Sequence, residues 1–429
     1  MKRTIAAVAA LAAASLALTA CGGGSDSDSS SGSSGGPTTI TVSGWSLSTT
    51  PEFQKLADAF SAKYPDYKVQ VKEYDATNYN TLLTADLAAG KGPDVITQKE
   101  VKYLPTFVKG GQLADVSDLK APDGIGGTDS YKVDGKTYAL PYRMDSWVMF
   151  YNKDLFDKAG VTYPDGSWTW DDYVANLQKL KAGLPKGAYA AYLHNWQSTV
   201  QGLANAQSGA DILKGDFSHL KEPYERTVGL QKDGLQVDFN TEKANQLTYQ
   251  AEFGKQHAAT MLMGSWYVAT LISQQASGEA DKFNWGFAPV PQMDSSTAGT
   301  SNTPVTFGDP TGFAVNAHAD GAKKDAAEKF LQFASSEEAA NMLAGIGITP
   351  ALINDAVINT YFAVPGAPTD DLSKFAWATH KTLPENPTSD KTAAVQGILG
   401  DLHTAIMSGS KSPDDAIDEA EDRFKNEVG

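Results

Sequence analysis

The sequence predicts a mixed α/β fold. Strand and helix patterns alternate from Thr38 onward, apolar side chains switch between the two periods along that stretch, and no internal repeat or heptad run competes with them. In residues 39–43, Ile40 and Val42 share one face, as in a strand. Thr50 is placed to cap a helix with Pro51 at its first position, and Phe53, Leu56, Ala57 and Phe60 form its apolar stripe. Val69 and Val71 mark a second strand. Tyr79, Leu82, Leu83 and Leu87 mark a second helix, which Gly90 ends. Residues 93–96 read as a third strand, completing a βαβαβ opening. Further along, Thr169 and Asp172 form a capping box for a helix from Trp170 to Ala182, and residues 322–334 form another helix. Ser335 with Glu338 reads as a second capping box, and Ser412-Pro413 starts a final helix.

With 429 residues, 41% of them hydrophobic, the chain can build two or three compact units. Its first residues belong to none of them. Lys2 and Arg3 precede an apolar run over 4–17 that is too short to span a bilayer. The run ends in Leu18-Thr19-Ala20-Cys21, which resembles a bacterial lipobox and implies a signal peptide over 1–20 with lipidation at Cys21. Residues 21–37 are otherwise almost wholly Gly, Ser and Asp, the composition of a flexible tether. The expected location is therefore extracytoplasmic, on the outer face of a bacterial and Gram-positive membrane, held through the lipid alone.

Cys21 is the single cysteine, which excludes intramolecular disulfides and Cys-based zinc sites. The formal charge of −16 becomes two units more negative without Lys2 and Arg3, so the body is a poor binder of nucleic acid. The six histidines are too widely spaced for a zinc motif on one helix. A nucleophile elbow, a Walker A loop and a dinucleotide fingerprint are all missing. No catalytic residue, metal site or cofactor is expected. Paired carboxylates for glycoside hydrolysis stay open among 51 acidic residues.

Eight stretches carry a resemblance across residues 38–429: TITVSGW, YNTLLTADLAAGKGPDVI, FVKGGQLADVSDL, YALPYRMDSWVMFYNKDLFDKAGV, SWTWDDYVANLQKL, AATMLMGSWYVATL, FNWGFAPVPQ and GFAVNAHADGAKKDAAEKFLQFASSEEAAN. In that order they resemble family 1 extracellular solute-binding proteins, the group of maltose-binding protein. The resemblance implies a two-lobed periplasmic-binding-protein-like fold. Its mixed sheets are flanked by helices, the chain crosses between lobes several times at a hinge, and the ligand cleft lies between the lobes. The N-lobe would take 38–144 plus 312–348, and the C-lobe 145–311 plus 349–429. The implied function is capture of a mono- or oligosaccharide and delivery to the permease subunits of an ABC transporter, by a monomer that is not an enzyme. Two alternatives stay open: a surface lipoprotein acting on carbohydrate as enzyme or adhesin, and a same-family receptor for another solute such as a phosphorylated glycerol. The chain's poverty in Arg favours an unphosphorylated carbohydrate.

A sugar offers a weakly apolar C–H face to flat aromatic rings and a rim of hydroxyls to fixed polar groups. Eight tryptophans exceed what a core of this size needs. By the resemblance, Trp266 stacks on a sugar ring; its alternative is a core Trp at a helix start. Asp145, where the chain first crosses, matches a hydroxyl-accepting carboxylate. Arg143 would point the same way, unless the two form an ion pair without a ligand. Trp45 ends the first strand at its C-terminal edge, where open α/β sheets bind ligands. Gln98, Lys99 and Glu100 follow the third strand at that edge. Trp196, with Asn195 beside it, is a further candidate by resemblance. Asp309 lies before the second expected crossing, or is a turn carboxylate ahead of Pro310. Trp285 reads as a sheet residue, and Trp168 and Trp170 as helix covers. Tyr361 and Trp377 have no assigned place.

Overall fold

The computed structural model describes residues 36–48 and 50–429; the signal peptide, Cys21 and nearly all of the tether lie outside the described residues. Pro37–Gly429 form one unit and are described by themselves. In chain order the strands are β1 (Thr38–Gly44), β2 (Tyr67–Glu73), β3 (Val95–Gln98), β4 (Lys132–Val133), β5 (Lys136–Thr137), β6 (Leu140–Met144) and β7 (Trp147–Asn152). They continue with β8 (Tyr189–Tyr192), β9 (Ala258–Gly264), β10 (Trp285–Ala288), β11 (Val305–Phe307), β12 (Pro310–Val315) and β13 (Lys381–Leu383).

Two main sheets result. The first has order β2-β1-β3-β12-β6, parallel within β2-β1-β3, with β12 antiparallel to both neighbours. The second has order β10-β7-β9-β8, with β7 antiparallel to β10 and β9, and β8 parallel to β9. Each strand of the second sheet is apolar on both faces, as expected of a sheet covered on both sides. Each sheet has its own core. One face of the first sheet packs Ile40, Val42 and Val95 on Phe53, Phe60 and Phe330; the other packs Ile96 and Ala314 on Tyr79, Leu83 and Leu104. The second packs Phe150, Met261 and Phe287 with Tyr173, Leu177 and Tyr267, and a satellite core joins the helices around Phe217 and Leu402. Each such aromatic or leucine contributes about 1.5–3 kcal/mol on leaving water.

Three extended segments run side by side between the sheets. Met144 pairs with Pro310, and its N–H donates to the Thr349 carbonyl at 3.2 Å. Gly308 lies so close that a Cβ there would meet the Asp145 carbonyl oxygen at 2.0 Å. Only glycine permits this approach of two backbones.

The local readings hold where the signal is local. Thr169 and Asp172 make the reciprocal capping box of helix Trp170–Gly183, and Ser412 caps helix Pro413–Glu427. Three readings are corrected. Pro51, not Thr50, occupies the cap position of helix Glu52–Lys63, and no side chain caps it. Leu82 is exposed, because the buried stripe of helix Tyr79–Ala88 runs through Tyr79, Leu83 and Leu87. Ser336 rather than Ser335 caps helix Glu337–Ala344: its extended backbone lets its hydroxyl accept from the Ala339 N–H. Ser335 ends the preceding helix and donates to the Pro141 carbonyl instead.

Candidate functional site

The C-terminal ends of β1 and β3 and the three crossings place most of the sequence-selected residues. Trp45 follows β1, half-buried, edge-on to Phe53 at 4.8 Å and to Tyr79 at 5.1 Å. The Lys99 ammonium lies 5.3 Å from the Trp45 ring and donates to the Ala76 carbonyl; its burial pulls its pKa down. Glu100 accepts from Asn80 Nδ2 at 3.1 Å and pairs with Lys102 at 2.8 Å. Gln98 ends β3 only 1% exposed, and both polar atoms of its amide lack a protein partner. Such an amide carries an unmet demand for a donor and an acceptor.

The first crossing carries a buried network. Arg143 Nε donates to Asp145 Oδ2 at 2.6 Å, and Nη1 donates to Glu52 Oε2 at 2.6 Å. Glu52 Oε1 accepts from the Tyr142 hydroxyl at 3.1 Å. Burial raises the Glu52 pKa, against the opposing pull of Arg143. Asp145 Oδ1 accepts from Ser265 Oγ at 2.7 Å; Thr349 Oγ1 donates to Ser265 Oγ at 3.0 Å, and Trp377 Nε1 donates to Thr349 at 3.2 Å. Tyr361 packs on Trp377 with ring centres 4.4 Å apart, so both previously unplaced aromatics are core supports of this network. The Asp145–Arg143 ion pair weighed from sequence is present, as one link of a chain that joins the two sheets.

Trp266 follows Ser265 directly, at the turn from β9 into helix Tyr267–Ser277. It is half-buried and stands edge-on to Trp147 at 5.7 Å and 89°, and Trp147 stacks on Phe307 at 4.9 Å. Gly264 makes room for the indole, since a Cβ there would lie 1.9 Å from the ring. Beside it, Tyr249 packs on Tyr267 at 5.3 Å and on Trp196 at 5.7 Å. Trp196 is 39% exposed and covers His194 edge-on at 4.5 Å.

The network therefore brings together Trp45, Arg143, Asp145 and Trp266. Trp45 touches Phe53, whose neighbour Glu52 grips Arg143, and Asp145 binds Ser265 beside Trp266. Asn195 is tied to the frame: its backbone and side-chain N–H groups both donate to Glu242 Oε1, at 2.8 and 2.7 Å. Asp309 likewise anchors a loop, accepting from Glu385 N at 2.9 Å and Asn386 Nδ2 at 2.8 Å. Burial raises its pKa, and raises that of Glu385, which the Asp309 charge pushes further. Glu385 accepts from Ser198 Oγ, and Lys102 and Glu100 act on it electrostatically from the other sheet's side.

Glu52, Ser265, Thr349, Lys102 and Glu385 were not singled out in the sequence. Glu52 in a first helical turn reads as an ordinary complement to the helix dipole, and its partner lies 91 residues away. Among the described residues, no cluster of His, Cys, Asp or Glu could hold a metal ion, and no helix is long and apolar enough to cross a membrane.

The sequence profile of bacterial extracellular solute-binding proteins matches residues 46–341. The crystal structure of a Rhizobium etli sugar transporter in an open conformation superimposes with a TM-score of 0.78 at 33% identity, covering 90% of this chain and 99% of that one. The diacetylchitobiose binding protein of Streptomyces coelicolor is 28% identical over 422 residues, 91% of this chain and 90% of its own length. A curated Brucella abortus relative is 27% identical over 288 residues, 62% of this chain; the match spans 66% of that relative, just short of two thirds. With two main sheets flanked by helices, and the profile covering most of its length, the chain belongs to the bacterial extracellular solute-binding protein family.

Proposed function

We propose that this protein captures a mono- or oligosaccharide between two lobes and delivers it to the permease of an ABC importer, without altering it. The lobes are those expected from the sequence, 38–144 with 312–348 and 145–311 with 349–429. The observation that carries the reading is the pairing of half-buried indoles, Trp45 beside the first sheet and Trp266 beside the second, across one polar network through Glu52, Arg143, Asp145 and Ser265. Flat rings suit the C–H faces of a sugar and fixed carboxylates suit its hydroxyls.

In this reading Trp45, Trp266 and Trp196 supply stacking surfaces. Asp145, Glu100, Gln98 and Lys99 supply polar contacts; Arg143 orients Asp145. Asp309 and Asn195 hold the frame. A ligand that touches both lobes favours their closed arrangement by its preference for that state. Lipidation at Cys21 would anchor the monomeric body to the outer face of a Gram-positive membrane. Related sugar-binding proteins support the choice of ligand class.

A thermal-shift screen of the purified protein against neutral mono- and oligosaccharides tests the reading, because a ligand that binds only the folded state raises the melting temperature. At least one sugar should raise it and be recovered intact. A melting temperature unmoved across the panel, or a cleaved sugar, would contradict the proposal.

A further inference from the structure

Arg143 is one of three arginines among the described residues; Arg226 lies over the Trp170 ring and Arg423 pairs with Asp401 and Glu427. It is thus the sole guanidinium available to attract a negatively charged solute to the candidate cleft. Two of its three guanidinium nitrogens are engaged by acids. Its Nε and Nη1 each donate to a carboxylate at 2.6 Å, with Arg143 and Asp145 both 8% exposed and Glu52 at 0%. One positive charge faces two carboxylates, and the second carboxylate has no exposed surface through which to serve anything but this network.

We propose that Glu52 is a specificity-determining residue, which caps Arg143 and so sets the cleft to accept uncharged sugars and refuse phosphorylated or carboxylated ones. The inference rests on the carbohydrate reading above. A phosphate or uronate approaching the remaining nitrogen, Nη2, meets a guanidinium whose single charge is already outweighed by two carboxylates, and displacing Glu52 would leave a buried carboxylate without its counter-charge. It would also meet Asp145, an acceptor-only group with no proton to offer an anion. A sugar hydroxyl faces neither obstacle, since it donates to Asp145 while Arg143 keeps both partners. Tyr142, donating to the other Glu52 oxygen at 3.1 Å, fixes the cap in place. Glu52 touches no solute in this scheme and acts through Arg143 and Asp145.

The test is isothermal titration of the wild-type protein, Glu52→Gln and Glu52→Asp with matched probes: a neutral sugar that binds, its uronic acid and its phosphate ester. Wild type should prefer the neutral member by at least about tenfold, as expected for like charge placed against like. Glu52→Gln should narrow that ratio by a similar factor, and Glu52→Asp should restore part of it. A purely structural ion pair would instead lower all three affinities together. A wild type that takes the phosphate or uronate as tightly as the neutral sugar overturns the proposal with no variant needed. Equal losses for all probes in Glu52→Gln also overturn it. Binding of no sugar at all, charged or neutral, sinks the carbohydrate reading itself and this inference with it.

Discussion

Replacing Gly264 by alanine should move the Trp266 indole without touching it chemically. An added Cβ would lie 1.9, 2.2 and 2.3 Å from Cζ3, Cε3 and Cη2 of that ring. Carbon atoms in contact prefer about 3.5–4.0 Å, so the ring has to retreat by about 1.5 Å. The indole can swing about its own side-chain torsions, which keeps the folding cost near the lower end of the roughly 1–3 kcal/mol typical of overpacking. The displaced ring also loses its edge-on contact with Trp147, worth about 0.5–1.5 kcal/mol of stability. Binding has no such escape: the ring no longer presents its face to a sugar, at a cost on the order of 2 kcal/mol, or about 30-fold in Kd. Titration calorimetry with a bound sugar should therefore show similar losses for Gly264→Ala and Trp266→Ala. The double variant should bind no worse than Trp266→Ala alone, because the methyl group meets nothing once the ring is gone. A double variant whose losses simply add would refute the claim that Gly264 acts through the indole.

Removing Arg143 leaves Glu52 and Asp145 buried without a counter-charge, so Arg143→Ala should destabilise the fold by about 3–5 kcal/mol in chemical denaturation. A loss below about 1 kcal/mol would mean that the pair is solvated after all. Gly308→Ala sets a Cβ 2.0 Å from the Asp145 carbonyl oxygen, a backbone atom that cannot swing aside; it should lower the melting temperature and sugar affinity together, and a normal affinity would show that the crossings are not coupled to the site. Burial raises the pKa of Asp309 and, with the Asp309 charge, that of Glu385. Their native values exceed the unfolded ones, so the stability they confer is complete below the ordinary carboxylate range and is lost as pH rises through the native values. Glu385→Gln should flatten that decline in a melting-temperature series from acidic to alkaline pH; an unchanged slope would remove the pair as its source.

What the sequence revealed and what it hid divide by distance along the chain. The Thr169–Asp172 box and the Ser412 cap involve residues three apart, so spacing alone exposes them. The Ser335 reading failed by one position, because which of two adjacent serines adopts the extended cap conformation depends on where the previous helix ends, and Ser335 is drawn off by Pro141, 194 residues earlier. Trp45, Asp145 and Trp266 are picked out as candidates by strand ends and family resemblance. Glu52 and Ser265 were not, because their roles exist only once partners 91 and 120 residues distant arrive. Tyr361 and Trp377 have no assigned place in the sequence and serve as buried supports, since their burial is set by packing against Thr349 and each other.

The crystal structure of the protein with the neutral sugar that most raises its melting temperature tests the central claim most directly. The sugar should lie between the two sheets' bodies, one ring against Trp266 and its hydroxyls on Asp145, with contacts from the Trp45 side as well. A sugar held by residues of one body alone, away from both indoles, would contradict it.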